Sequence, residues 1–258
     1  YMSIGEIERK TQNEVIKFFT SPNLLSYRYL GNLKNTANKN IKKDLLCQYL
    51  HDKGYSDALV KGAVEQLQKA ADDLSHGIYA ANKAVYGLLK YGAKVAESPG
   101  NPKQTVYFID AETPQNNDFA IAEEVTVIEK SEKRPDLVVY INGIAIAVIE
   151  LKRSSVSVSE GIRQNLTNQK DTFIQGFFST IQFCMAGNES EGLRYATLLT
   201  PEKFYMEWKD DGFTEHPEER APVDARISRT CQAISNKLLC QLYAQFDKER
   251  LLDLIFNF

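Results

Sequence analysis

Hydrophobic positions recur at two different periods along this chain, and the change of period divides it. In the first third, apolar residues return every three to four positions. Ile7, Val15, Phe18 and Phe19 form one such set, and Leu45, Leu46, Tyr49 and Leu50 a second. Leu59, Val60, Ala63, Val64 and Leu67 form a third, and the pattern resumes from Ile78 to Leu89. That spacing puts each set on one face of a helix. It predicts a helix over about Glu6 to Phe19, ended by Ser21-Pro22-Asn23. A mostly helical segment then runs from Asn40 to about Glu97, broken at Gly54 and Gly77.

Beyond Tyr91 the period changes to two. Short strands at Ala93–Ala96 and Thr105–Ile109 flank the turn cluster Ser98-Pro99-Gly100-Asn101-Pro102. Asn116-Asn117-Asp118 punctuates before a strand candidate at Ala120–Glu129. Two nearly continuous apolar runs follow on either side of Asn142-Gly143, a strong short-range hairpin signal. Ser157 with Glu160 three residues later has the spacing of a capping box, and a helix is predicted from Val158 to about Gln175. Strands resume at Thr180–Met185, Tyr195–Leu199 and Phe204–Trp208. A polar loop from Asp210 to Val223 then leads into a C-terminal helix over about Asp224 to Phe256.

This order predicts an α/β fold: a mixed β-sheet flanked by helices, with a helical N-terminal layer. The expectation is one domain over residues 1–258, mostly helical to 91, with the sheet and its crossover helix at 92–209. The chain is long enough to bury a sizeable core. No apolar stretch reaches the eighteen or so residues of a membrane span, and no signal-peptide pattern opens the chain. Cys47, Cys184, Cys231 and Cys240 are widely spaced without a C-x-x-C pair, so free thiols in a reducing cytoplasm are expected. His51, His76 and His216 are too scattered for a zinc site. A net charge of −3 speaks against a free-standing nucleic-acid binder. Near the hairpin, Lys130, Lys133, Arg134, Lys152 and Arg153 would still form a small positive patch. The run Leu251 to Phe256 at the end reads as helix, and the chain is expected to be part of something longer.

The hairpin carries charges that its apolar strands do not need. Asp136 enters the first strand, and Glu150-Leu151-Lys152 leaves the second. Bringing such groups towards a low-dielectric interior costs several kcal/mol unless a partner or a metal compensates. A hard divalent cation, Mg²⁺ by its preference for oxygen ligands, accounts for all three charges if Asp136 and Glu150 hold it. The Leu151 carbonyl would be an extra ligand, and Lys152 would stand beside the reacting phosphate. The same charges also fit a surface salt bridge of Glu150 with Lys152 or Arg153.

Strand geometry sets a condition on the metal reading. A strict two-residue Asn142-Gly143 turn with unbroken pairing matches Asp136 with Ile149 and sends Glu150 to the opposite face. One extra residue corrects this, so a three-residue loop Ile141-Asn142-Gly143 with Gly143 left-handed, or an equivalent bulge along the strands, is expected.

At these residues the sequence resembles the PD-(D/E)xK nucleases. Arg134-Pro135-Asp136, Asn142-Gly143, Ile149 to Arg153 and Glu160 to Asn165 resemble, more closely, the N-terminal nuclease domain of type I restriction enzyme R subunits. Ala80 to Lys83, Asn116 to Phe119, Ala186 to Asn188 and Gly192 to Tyr195 extend the likeness, which spans about Tyr29 to Trp208. The resemblance implies a restriction-endonuclease-like fold and a Mg²⁺-dependent endonuclease acting on double-stranded DNA. It also implies an ATP-driven motor downstream and modification and specificity subunits as partners. The chain has no G-x-x-x-x-G-K-[ST] loop, so ATP would bind elsewhere in the full subunit. The family's Gln-x-x-x-Tyr element is matched at Gln164, with a DNA-contacting or site-ordering role, but Asn168 stands where the Tyr belongs. Glu14 is a possible accessory carboxylate, as many of these nucleases have one. The alternative is a docking module that keeps the fold and couples motor to methyltransferase without cutting.

Overall fold

Helices with one apolar face need a surface to cover, and in the computed structural model that surface is a mixed sheet. The structure describes residues 4–209 and 222–257, and of residues 4–8 only the backbone. The N-terminal layer comprises α1 (Ile4–Thr20), α2 (Lys43–Asp52), α3 (Asp57–Asp72) and α4 (Ile78–Tyr91). Their buried positions are those of the helical pattern: Val15 and Phe19, Leu46 and Leu50, Leu59 and Leu67, Val85 and Leu89. The side chain of Ile7 lies outside the described residues.

The main sheet has six strands among the described residues, in the order β1 (Arg28–Asn32), β4 (Phe119–Glu123), β7 (Leu137–Ile141), β8 (Ile144–Leu151), β9 (Phe183–Asn188) and β10 (Gly192–Ala196). Outer strand β1 runs parallel to β4, and β8 runs parallel to β9; the other pairs are antiparallel. The parallel step from β8 to β9 contains α5 (Val158–Asn168), as such a connection needs a crossover. Two ribbons stand apart: β2 (Ala93–Val95) with β3 (Gln104–Val106), and β5 (Val127–Ile128) with β6 (Glu132–Lys133). The chain closes with α6 (Pro222–Gln232), α7 (Lys237–Phe246) and α8 (Lys248–Phe256). No helix among the described residues is long and apolar enough to cross a membrane.

One sheet face packs on residues of α1, α2, α3, α7 and α8, through Leu137, Val139, Ile149 and Leu151. The other face carries Val138, Tyr140 and Val148 against Phe177 and Phe178. Ala186 beside them meets Val158 and Ile162 of α5. Burying both faces explains why β7 and β8 read as continuous apolar runs rather than alternating ones.

The hairpin turn itself departs from the expected three-residue loop. Ile141 pairs with Ile144, leaving two turn residues, and both have positive φ, 52° at Asn142 and 82° at Gly143. Positive φ at both positions is the requirement of a type I′ turn, which Asn-Gly meets at little cost. The extra residue appears inside β8 instead. Tyr140 pairs with Ala145 but Val139 with Ala147, so Ile146 is bulged, and its carbonyl accepts the Gln182 N–H at 2.7 Å. Across the bulge Ile146 and Ala147, adjacent in sequence, both face the same core cluster, which reverses the alternation.

Several element bounds differ from the sequence reading. Helix α5 stops at Asn168 rather than near Gln175, because Gln169 is buried and committed elsewhere. Its Oε1 accepts the Leu199 N–H at 2.7 Å, and its Nε2 lies 3.4 Å from Cys184 Sγ. The capping box is half-formed: Ser157 Oγ accepts from the Ser159 N–H, while the Glu160 carboxylate pairs with Arg163 instead of turning back. The expected strand at Phe204–Trp208 reduces to a single bridge between Met206 and Tyr195, and Ala120–Glu129 breaks at Glu124, where φ is +51°. The C-terminal helix is three helices, with Asn236 and Asp247 capping the second and third. Most of the polar loop from Asp210 lies outside the described residues.

Candidate active site

Beyond the bulge, Leu137 pairs with Ile149 and Val138 with Val148, so the next step outward sets Asp136 across from Glu150. Both therefore lie on the side of the sheet that α5 covers. The condition drawn from strand geometry is met, with the correction placed in the strand rather than the loop.

Asp136 stands in the bend before β7 and keeps part of its surface open; its Oδ2 accepts the Leu151 N–H at 2.7 Å. Glu150 is fully buried, and its Oε2 accepts from Gln164 Nε2 at 2.7 Å. Gln164 in turn accepts from Lys152 Nζ at 2.8 Å through its Oε1. One amide thus orders both the acid and the cation of the Glu-x-Lys sequence, with its two ends fixed by opposite needs. The remaining Glu150 oxygen, Oε1, is buried and receives no hydrogen bond from an N–H or a hydroxyl among the described residues, and the two carboxyls are close enough to share a proton. Leu151 sends its side chain to the core on the opposite face, so it offers this site only its main chain.

These surroundings hold protons. Burial pushes the Glu150 carboxyl well above the usual carboxylate range, and the charge of Asp136 beside it pushes further. Burial also raises Asp136, opposed by the hydrogen bond from Leu151 N–H and by the charge of Lys152. Two carboxyls facing each other, one of them fully buried, cannot both ionise cheaply. A cation between them would relieve that conflict, and Asp136 and Glu150 are the side chains that could hold one. Among the described residues no three His, Cys, Asp or Glu side chains gather around one point. Two carboxylates and a main-chain oxygen suit Mg²⁺, which keeps several of its waters.

Helix α5 can deliver Gln164 because Gly161 lets it approach the sheet. A Cβ at Gly161 would come within 2.9 Å of the Ala186 Cβ and 3.5 Å of the Glu150 Cβ. Gly161→Ala is expected to lift the helix, cost about 1–3 kcal/mol in urea unfolding and lengthen the Gln164–Glu150 contact. An unchanged unfolding midpoint would show that the helix has room there.

Other candidates are placed elsewhere. Glu14 is exposed on α1, and the buried residues of that helix join the cluster on the sheet's other face, so the structure does not bring Glu14 to the acidic pair. Asn168, at the Tyr position, is buried, and its carbonyl accepts the Ile174 N–H at 3.3 Å. Of the basic group, Arg134 pairs with Glu124 at 2.7 Å, and Lys133 Nζ lies 4.4 Å from the centre of the Phe173 ring.

The sequence reading missed Glu124. Its negative charge raises both Asp136 and Glu150, though it ranks last among the causes. Residues of the remaining resembling stretches form the frame. Asn142, fully buried, accepts the Asp118 N–H and donates to the Phe108 carbonyl and Asn117. Asn82 Nδ2 donates to the Ile181 carbonyl, and Asn188 ties Val156 to the Glu191 N–H. A buried amide can bond several main-chain groups at once, which is why asparagine recurs at these corners.

With this geometry in place, likeness to known proteins is informative. A family model described as the type I restriction enzyme R protein N terminus matches residues 7–203. The chain is 35% identical over 97 residues to a putative type I restriction enzyme MjaIXP endonuclease subunit of Methanocaldococcus jannaschii, covering 34% of this chain and 9% of the relative. It is 28% identical over 107 residues to the type I restriction enzyme SauCOLORF180P endonuclease subunit of Staphylococcus aureus, covering 40% and 11%. It is 21% identical over 228 residues to the type I restriction enzyme EcoprrI endonuclease subunit of Escherichia coli, covering 81% and 64%. The chain therefore spans about a tenth of the first two relatives and under two thirds of the third.

Proposed function

We propose a function from a plain premise: the chain belongs to the family of type I restriction enzyme R protein N termini. On that premise it is the part of such an enzyme that hydrolyses phosphodiester bonds of double-stranded DNA, with Mg²⁺ as cofactor. Asp136, Glu150 and the main-chain carbonyl of Leu151 would hold the ion. The observation that carries the reading is the fully buried Glu150 carboxyl set against that of Asp136, with Lys152 aligned by Gln164. When bound, the ion would polarise the scissile phosphate and lower the pKa of a bound water.

The chain's own residues do the rest. Glu150, held by Gln164 Nε2, presents a fixed oxygen without spending conformational freedom on binding. Lys152 brings a compact positive charge to where negative charge builds up on the phosphate, and Gln164 keeps it from collapsing onto the acids. Leu151 N–H fixes the rotation of the Asp136 carboxylate. The overall charge of −3 leaves most of the DNA affinity to other parts of the enzyme: a motor that binds ATP, and modification and specificity subunits. That enzyme would work in the cytoplasm. A docking module that keeps the fold without cutting has no need of an oriented Lys152 beside two facing carboxyls.

Asp136→Ala in the complete enzyme tests this. Cleavage is expected to fall by about 10³-fold or more, while ATP hydrolysis stays at the parent rate, because charge stabilisation at the phosphate is lost and the motor is untouched. Normal cleavage by that variant refutes the assignment.

A further inference from the structure

Strand pairing of β7 with β8 ends at Leu137, one residue short of Asp136, so β8 reaches Asp136 only through the Leu151 N–H on its carboxylate, and the Asp136 main chain must be held by something else. The neighbouring strand supplies it. Where β4 ends, Glu124 takes a left-handed backbone, φ +51°, which residues with a side chain seldom adopt without a compensating role. That twist aims two consecutive amides at the next segment: Glu124 N–H donates to the Asp136 carbonyl at 2.8 Å, and Val125 N–H to the Pro135 carbonyl at 3.0 Å. The Glu124 carboxylate closes the same segment from its other end, pairing with Arg134 Nε at 2.7 Å. Three successive residues, Arg134, Pro135 and Asp136, are thus gripped from one strand end.

We propose that Glu124 is a positioning residue for the acidic pair: its left-handed main chain and its ion pair to Arg134 clamp Arg134-Pro135-Asp136 so that the Asp136 carboxylate stays across from Glu150. The consequence for metal binding rests on the nuclease reading above; the clamp itself does not. Charge and geometry make opposite demands at Arg134. As a mere counter-charge, Arg134 weakens cation binding by neutralising Glu124, and its removal tightens binding. As half of a clamp, Arg134 is needed for binding, and its removal weakens it.

The experiment compares Glu124→Gln, Arg134→Gln and Arg134→Lys in the 258-residue chain. The first readout is hydrogen exchange of the Leu151 amide, which donates to Asp136 Oδ2. The second is Mg²⁺ binding by calorimetry, with melting temperatures to establish that each variant folds. Glu124→Gln and Arg134→Gln are each expected to speed Leu151 exchange about tenfold, as local opening becomes easier. Each is also expected to weaken Mg²⁺ about tenfold, the usual effect of removing a group that orients a ligand. Arg134→Lys, which keeps a cation within reach of Glu124, should restore most of both. Leu151 exchange at the parent rate in the two glutamine variants overturns the clamp, as does tighter Mg²⁺ binding by Arg134→Gln. A parent chain that binds no Mg²⁺ counts against the nuclease reading, and the exchange measurement still decides the clamp.

Discussion

Glu150→Gln is expected to stabilise the chain and silence the enzyme. Glu150 is fully buried and its carboxyl is held well above the ordinary range by burial and by Asp136. An acid with a raised folded-state pKa binds its proton more tightly folded than unfolded. Stability therefore falls as pH rises from its ordinary value, about 4.3, through the raised one. Glutamine removes that charge, still accepts from Gln164 Nε2, and has an amide to offer Asp136. The gain should be about 1–3 kcal/mol at neutral pH, read from the urea midpoint, with a flatter dependence of stability on pH. Cleavage by the complete enzyme should fall by about 10³-fold, since an amide is a poor ligand for a hard cation. A destabilised Glu150→Gln chain would mean that the carboxylate serves the fold. A Glu150→Gln enzyme that cuts normally would mean that it does not serve catalysis.

At the other end of the hairpin the expected effect has the opposite character. Asn142→Ala is expected to cost about 3–5 kcal/mol, because it strands buried main-chain and amide groups and puts at positive φ a residue that tolerates it less well than asparagine. The groups are the Asp118 N–H at 2.7 Å, the Phe108 carbonyl at 2.8 Å and Asn117 Oδ1 at 2.9 Å, and φ at Asn142 is 52°. Asn142→Gly loses the same bonds but suits the turn, so it should be less damaging by about 1 kcal/mol. Urea denaturation of the two variants checks both statements. A loss below 1 kcal/mol in Asn142→Ala would remove this side chain from the scaffold.

Much of the site was legible because it sits on local signals. Asn142-Gly143 announces a turn by its tolerance of positive φ, and the charges at Asp136, Glu150 and Lys152 stand out against apolar strands. From those two facts the need for one extra residue follows by parity alone. Its location does not, because a bulge at Ile146 is selected by what meets it, here the Gln182 N–H from the loop before β9. Gln164 was visible through family likeness; its double hydrogen bond was not, since it depends on Gly161 letting α5 come down onto β8. Glu14 shows the converse. Its helix was read correctly, but helical periodicity says nothing about which face of the sheet the helix will cover. Glu124 carried no sequence signal at all: a glutamate after a strand looks like any solvated acid until its φ and its partner Arg134 are known.

The sequence by itself determined the helical layer, the hairpin with its turn, and the chemistry of two carboxylates and a lysine, because periods, turn residues and charges act over a few neighbouring positions. Only the tertiary structure decided the register beyond Ile146, the burial that raises Glu150, the amide that joins it to Lys152 and the strand end that grips Asp136. Those depend on contacts between residues far apart in the chain. Their free energies arise when layers pack together, and no local pattern encodes them.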